Sequence, residues 1–90
     1  MTLKQYIQAE GIKRRLFSWA WPETKRAAHD KLLEEFLSKP EIKKLNSKRE
    51  VLFYWYLYCG TLQDYVLNGN KNGIVEKCPL TKKELKIIFE

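Results

Sequence analysis

Ser47-Lys48-Arg49-Glu50-Val51-Leu52-Phe53-Tyr54-Trp55-Tyr56-Leu57-Tyr58-Cys59-Gly60-Thr61-Leu62-Gln63-Asp64-Tyr65-Val66 is the stretch on which the fold turns. Its middle, Val51 to Tyr58, is rich in β-branched and aromatic residues, which is the composition of a strand. Two features decide for a helix instead. Ser47 followed three residues later by Glu50 has the form of a capping box, in which the hydroxyl accepts from a helix N–H and the carboxylate reaches back to the cap. Val51, Trp55, Tyr58, Cys59, Leu62 and Val66, placed at 100° per residue, form one continuous stripe that persists well beyond the β-rich segment. The spacing predicts one long helix from Lys48 to about Leu67, with Gly60 as a point where it could kink.

The apolar run Val51 to Cys59 is far shorter than the roughly 20 residues a membrane-spanning helix needs, so no membrane anchor is expected here. The same run is apolar nearly all round, since Phe53 and Leu57 lie opposite Val51 and Trp55. Such a helix is either enclosed by its neighbours or offers one face to a partner. Phe53, Tyr54, Tyr56 and Leu57 are therefore a candidate protein interface, and a homo-oligomer through this helix is one form it could take.

Working outward, Thr2-Leu3-Lys4-Gln5 and Thr81-Lys82-Lys83-Glu84 repeat the capping-box pattern. The first predicts a helix from Leu3 to about Glu10, with Leu3, Tyr6 and Ile7 inward and Gly11 as its stop. A second short helix is read over Ile12 to Ala20, burying Ile12, Leu16 and either Ala20 or Trp19. Trp21-Pro22 ends it, because the residue before proline avoids the α region. Pro22 then opens a third helix to about Ser38, with Ala28, Leu32, Leu33, Phe36 and Leu37 as its apolar stripe. A short helical turn follows over Glu41 to Leu45. Asn68 to Gly73 reads as a loop and Ile74 to Pro79 as irregular, before a last helix from Lys82 to about Phe89. The fold class expected is all-α: a small bundle of about four to six helices around the central helix 48–67, with residues 1–90 as one domain.

Apolar residues make up 44% and charged residues 31% of the chain, the balance of a folded protein and not of a disordered one. Two cysteines and no hydrophobic signal region near Met1 are read as reduced thiols in a cytoplasmic protein. Convergent chemistry is scarce. The single histidine, His29, has Asp30 pointing about 100° away on the same helix, and Cys59 lies on the apolar stripe as a core thiol. One histidine and two distant cysteines do not make a zinc site. The glycine-containing loop at Gly69 and Gly73 lacks the Lys-Ser or Lys-Thr and the following helix of a phosphate loop. No enzyme activity, metal or cofactor is expected.

Seventeen Lys and Arg against eleven Asp and Glu give a net charge of +6, with the larger share of the surplus in residues 1–45. The densest concentration is Ile12 to Arg26, where Lys13, Arg14, Arg15, Lys25 and Arg26 oppose only Glu23 and are interleaved with Phe17, Trp19 and Trp21. Basic groups neutralise phosphates, and tryptophan stacks on an unpaired base or wedges into a groove. The competing reading makes these charges a solvated face and the tryptophans core packing. A second basic group, Lys43, Lys44, Lys48 and Arg49, flanks the start of the central helix. The coincidence of charge and aromatics ranks a nucleic-acid-binding domain first, for DNA or RNA, with Lys13, Arg14, Arg15, Trp19, Trp21, Lys25 and Arg26 as its contact residues. The alternative is a small protein-binding inhibitor or adaptor, which could occupy the groove of a nucleic-acid-handling protein.

Overall fold

The structure, a computed structural model, describes residues 2–69 and 78–89. The described chain is all-α and contains no strand: α1 spans Leu3–Lys13, α2 Glu23–Ser38, α3 Pro40–Lys43, α4 Lys48–Asn68 and α5 Lys82–Phe89. The stripe from Val51 to Val66 prevails over local β propensity because α4 buries it as one face: Val51, Trp55, Tyr58, Cys59, Leu62 and Val66 are all inside. The helix runs unbroken through Gly60. At its start Ser47 Oγ accepts from the Arg49 N–H at 3.2 Å, one residue earlier than the box pattern predicts. Its end is set by Gly69 in the left-handed conformation at φ +76°, whose N–H donates to the Tyr65 carbonyl. The rest of the loop read over Asn68 to Gly73, and most of the irregular stretch Ile74 to Pro79, lie outside the described residues.

The other two boxes close reciprocally. Gln5 N–H donates to Thr2 Oγ1 at 3.1 Å while the Thr2 N–H donates to Gln5 Oε1 at 2.9 Å, and Thr81 and Glu84 exchange the same pair of bonds at 3.2 Å each. Two orphan donors are satisfied at each of these helix starts.

The first quarter of the chain differs from the sequence reading. Gly11 does not stop α1, which continues to Lys13, and no helix forms over Ile12 to Ala20. Four residues later a Schellman arrangement ends the helix: the Arg15 N–H donates to the Ile12 carbonyl at 3.2 Å and the Leu16 N–H to the Gly11 carbonyl at 2.7 Å. Arg15 occupies the left-handed position usually given to glycine, at φ +60°. Gly11 serves close approach instead, since a Cβ there would stand 3.2 Å from Cβ of Phe17. The chain returns over α1, and Phe17 is buried in place of the predicted Ile12, Ala20 or Trp19, which are exposed, with Leu16 half-buried. From Ser18 to Trp21 the backbone is a turn, with the Trp21 N–H donating to the Ser18 carbonyl and the Ala20 N–H to Ser18 Oγ.

One buried cluster joins all five helices: Ile7 from α1, Leu32, Leu33 and Phe36 from α2, Ile42 from α3, the α4 stripe, and Leu80, Leu85 and Ile88 at α5. Through it runs a series of touching rings, with centroids 4.8 Å apart for Phe17 and His29, 5.6 Å for His29 and Trp55, 5.1 Å for Trp55 and Phe36, and 5.3 Å for Phe36 and Tyr58. Such pairs stabilise beyond their buried area by about 0.5–1.5 kcal/mol each. Polar ties fix α2 to its neighbours at the rim: Lys4 to Glu34 at 2.8 Å, Gln8 Nε2 to Asp30 Oδ1 at 2.7 Å and Lys31 to Glu84 at 3.1 Å.

Candidate functional site

The basic and aromatic residues of Ile12 to Arg26 are adjacent in sequence, and the turn after α1 distributes them among three shallow clefts. Arg14, at the C-cap of α1, lays its guanidinium 4.8 Å over the ring of Tyr56. It lines an open groove of about 390 Å³ with Tyr6, Glu10, Arg49, Leu52, Phe53 and Tyr56. Arg15 lines a smaller cleft of about 160 Å³ with Leu16, Trp21, Lys25, Gln63, Ile88 and Phe89. Trp19 belongs to a third, beside Gln8, Ala9, Ile12 and Asp30. Among the described residues, three of the seven assigned to nucleic acid, Arg15, Trp21 and Lys25, meet in one cleft.

Several of these cations already have work within the chain. Lys13 pairs with Glu10 at 3.3 Å. Arg26 Nε donates to the Trp21 carbonyl at 3.1 Å, and Lys25 Nζ lies 4.2 Å over the Trp21 ring. The edges of that ring meet Phe17 and His29, at 5.6 and 5.9 Å between centroids. Trp21 is thus a half-buried piece of packing with a cation on one face. Trp19 is the freer indole, 61% exposed and set edge-on to Phe17 at 4.8 Å. Of the second basic group, Arg49 joins the Arg14 groove and Lys48 stands 5.9 Å from the ring of Tyr6.

The four aromatic and aliphatic residues assigned to a protein interface divide differently. Phe53 is 59%, Leu57 52% and Tyr54 46% exposed, while Tyr56 is half-buried beneath Arg14. Among the described residues the buried Tyr56 hydroxyl has no hydrogen-bond partner, and burial raises its pKa above the usual phenol value. Leu67, which the sequence reading left out, is 56% exposed. At 100° per residue it belongs to the outward face of Phe53 and Leu57, so the spacing carried this signal. Between Glu50 and Asn68 the chain has no Lys or Arg, although 17 of its 90 residues are basic. The outward face of α4 thus carries Phe53, Leu57 and Leu67 with Asp64 among them and no Lys or Arg of its own, while Arg14 stacks on Tyr56 beside it.

The sequence weighs His29 only as a catalytic or zinc-binding group, and the structure buries it in the core. Its position on α2, three and four residues before Leu32 and Leu33, places it within the apolar stripe and was the available signal. Burial among Phe17, Trp21 and Trp55 lowers its pKa to about 4, against a weaker opposing pull from Asp30. Burial likewise pushes the Cys59 thiol far above its ordinary range. Among the described residues no group of three His, Cys, Asp or Glu side chains is placed to hold a metal ion, and no helix is long and apolar enough to cross a membrane. Comparison with family models, curated proteins and solved structures finds no match for this chain.

Proposed function

We propose that this chain is a non-catalytic protein-binding domain of the adaptor or inhibitor kind, whose contact surface is the outward face of α4. The observation that carries this reading is the exposure of Phe53, Leu57 and Leu67, each more than half accessible, on one face of a helix whose opposite face is the core. Large apolar side chains scattered singly need no explanation, but grouped on one helix face they resemble the anchors of an interface. Arg14 and Arg49 supply a polar rim beside Phe53. The test is a photo-crosslinking residue in place of Leu57, expressed in the native cell. Covalent capture of a protein, abolished by Phe53→Glu, supports the reading, and the absence of any protein adduct overturns it.

A second reading keeps the nucleic-acid role that the sequence ranked first. It rests on the cleft of Arg15, Trp21 and Lys25, with Gln63 as a further polar group. Binding there is electrostatic, so affinity for a single-stranded oligonucleotide at low salt should fall steeply as salt rises, and more so than in an Arg15→Gln, Lys25→Gln variant. Equal affinity of the two proteins across the salt series counts against it.

A further inference from the structure

The fold needs the backbone of Arg15 but not its side chain. The chain reverses after α1 through φ +60° at this residue, a conformation that glycine takes without the strain a Cβ brings. Among the described residues Arg15 forms no ion pair, and its side chain is exposed. Strained backbone gathers at ligand clamps, where the side chain it carries has a use.

That side chain lines the cleft of about 160 Å³ together with Lys25 from α2, and none of the described residues lining the cleft is an acid. The rest of the lining is apolar or aromatic, Leu16, Trp21 and Phe89 among it, apart from the amide of Gln63 from α4. Lys25 Nζ lies 4.2 Å over the Trp21 ring, so one of the two cations is already held against an aromatic wall. The complement of such a site is an anion attached to a flat ring.

We propose that this cleft binds one nucleoside monophosphate unit, free or as the 5′-phosphorylated end of a single strand, with Arg15 and Lys25 on the phosphate and the base against Trp21 and Phe89. This rests on the second reading, of the cleft as a nucleic-acid site, and names what it takes. Size excludes a run of bases, since pockets that enclose a ligand of drug size measure about 300–1,000 Å³. Charge favours a terminal phosphate. A phosphate monoester carries about −1.5 to −2 at pH 7, which two cations match, whereas each internal phosphodiester carries a single charge. Proteins that track a strand hold about 4–16 nucleotides along a continuous basic groove. Here the neighbouring cations are diverted, Lys13 to Glu10 and Arg14 to the ring of Tyr56 in a different groove. Gln63 favours a base over the phenyl ring of a phosphotyrosine, because its amide offers a donor and an acceptor to a base edge and finds neither on a phenyl ring.

The test is fluorescence anisotropy at about 50 mM salt with a single strand of about eight nucleotides, labelled at its 3′ end and carrying either a 5′-phosphate or a 5′-hydroxyl. The phosphorylated strand should bind about tenfold or more tightly than its hydroxyl counterpart. In Arg15→Gly that difference should shrink to about threefold or less while the melting temperature stays level or rises, so the loss is not one of folding. Adenosine 5′-monophosphate should displace the strand and adenosine should not. Displacement at a concentration near the strand's own dissociation constant assigns the cleft to the free nucleotide, and displacement only at far higher concentration assigns it to the strand end. Equal affinity for the two strands, or a phosphate preference unchanged in Arg15→Gly, overturns the proposal and leaves the nucleic-acid reading standing if binding still weakens with salt. Displacement by a phosphotyrosine peptide as readily as by the nucleotide overturns it too, since the base is then not read. No binding of either strand overturns both.

Discussion

At Arg15 a side chain with a Cβ holds the left-handed backbone at φ +60°, where glycine is the ordinary choice. The two Schellman bonds, and the burial of Phe17 two residues on, keep it there. Arg15→Gly should therefore raise stability by up to about 1 kcal/mol, read as a higher urea midpoint, since the relief of strain exceeds the added freedom of the unfolded chain. If the cleft of Arg15, Trp21 and Lys25 binds nucleic acid, the same variant loses affinity as it gains stability. His29 makes a second prediction. In the folded chain its pKa is lowered to about 4, whereas an unfolded histidine titrates near 6.5. Between those values the unfolded chain binds more protons, so stability is complete above pH 6.5 and declines as pH falls towards 4, by up to roughly 3 kcal/mol. Denaturation midpoints at pH 7.5, 6 and 5 should fall in that order. His29→Phe should flatten the slope between pH 6.5 and about 5.5, above the range in which ordinary carboxylates take up protons.

Each helix owes its ends to local chemistry and its persistence to one buried face. α5 is short, and an isolated segment of eight residues would not hold as a helix in water. Its reciprocal cap, the ion pair from Glu84 to Lys31, and burial of Leu85 and Ile88 between α2 and α4 hold it. Thr81→Ala should cost about 1 kcal/mol by removing the hydroxyl that accepts from the Glu84 N–H, measurable as a lower thermal midpoint. α4 is asymmetric in a way that separates fold from function. Leu57→Gln on its outward face should leave stability within about 0.5 kcal/mol, while any surface role of that face is lost. Trp55→Ala on the inward face should cost about 3–5 kcal/mol, because its ring is buried against His29, Phe36 and Tyr58. A urea titration of the two variants checks both statements.

For the whole molecule, a loss of that size approaches the full stability of a 90-residue chain, which by the usual 0.05–0.15 kcal/mol per residue is on the order of 5–13 kcal/mol. Trp55→Ala is thus expected to leave a substantial unfolded fraction at 37 °C. The helices α2, α4 and α5, their caps at Thr81 and Ser47, and the stripe from Val51 to Val66 were legible in the sequence because each is a local or periodic signal. Periodicity also determined that α4 has two apolar faces, without saying which would remain open. That depended on where the other elements pack: the core takes Trp55 and Tyr58, and Phe53, Leu57 and Leu67 are left outside. The route from Lys13 to Trp21 was decided by tertiary structure alone. Gly11 has the right identity for a helix stop, but Phe17 needs the space above it, and burying that ring outweighs the strain of turning the chain at Arg15. For the same reason, charges contiguous in sequence are dispersed in space, since a reversal of direction at one residue sends Arg14, Arg15 and Trp19 to three different clefts.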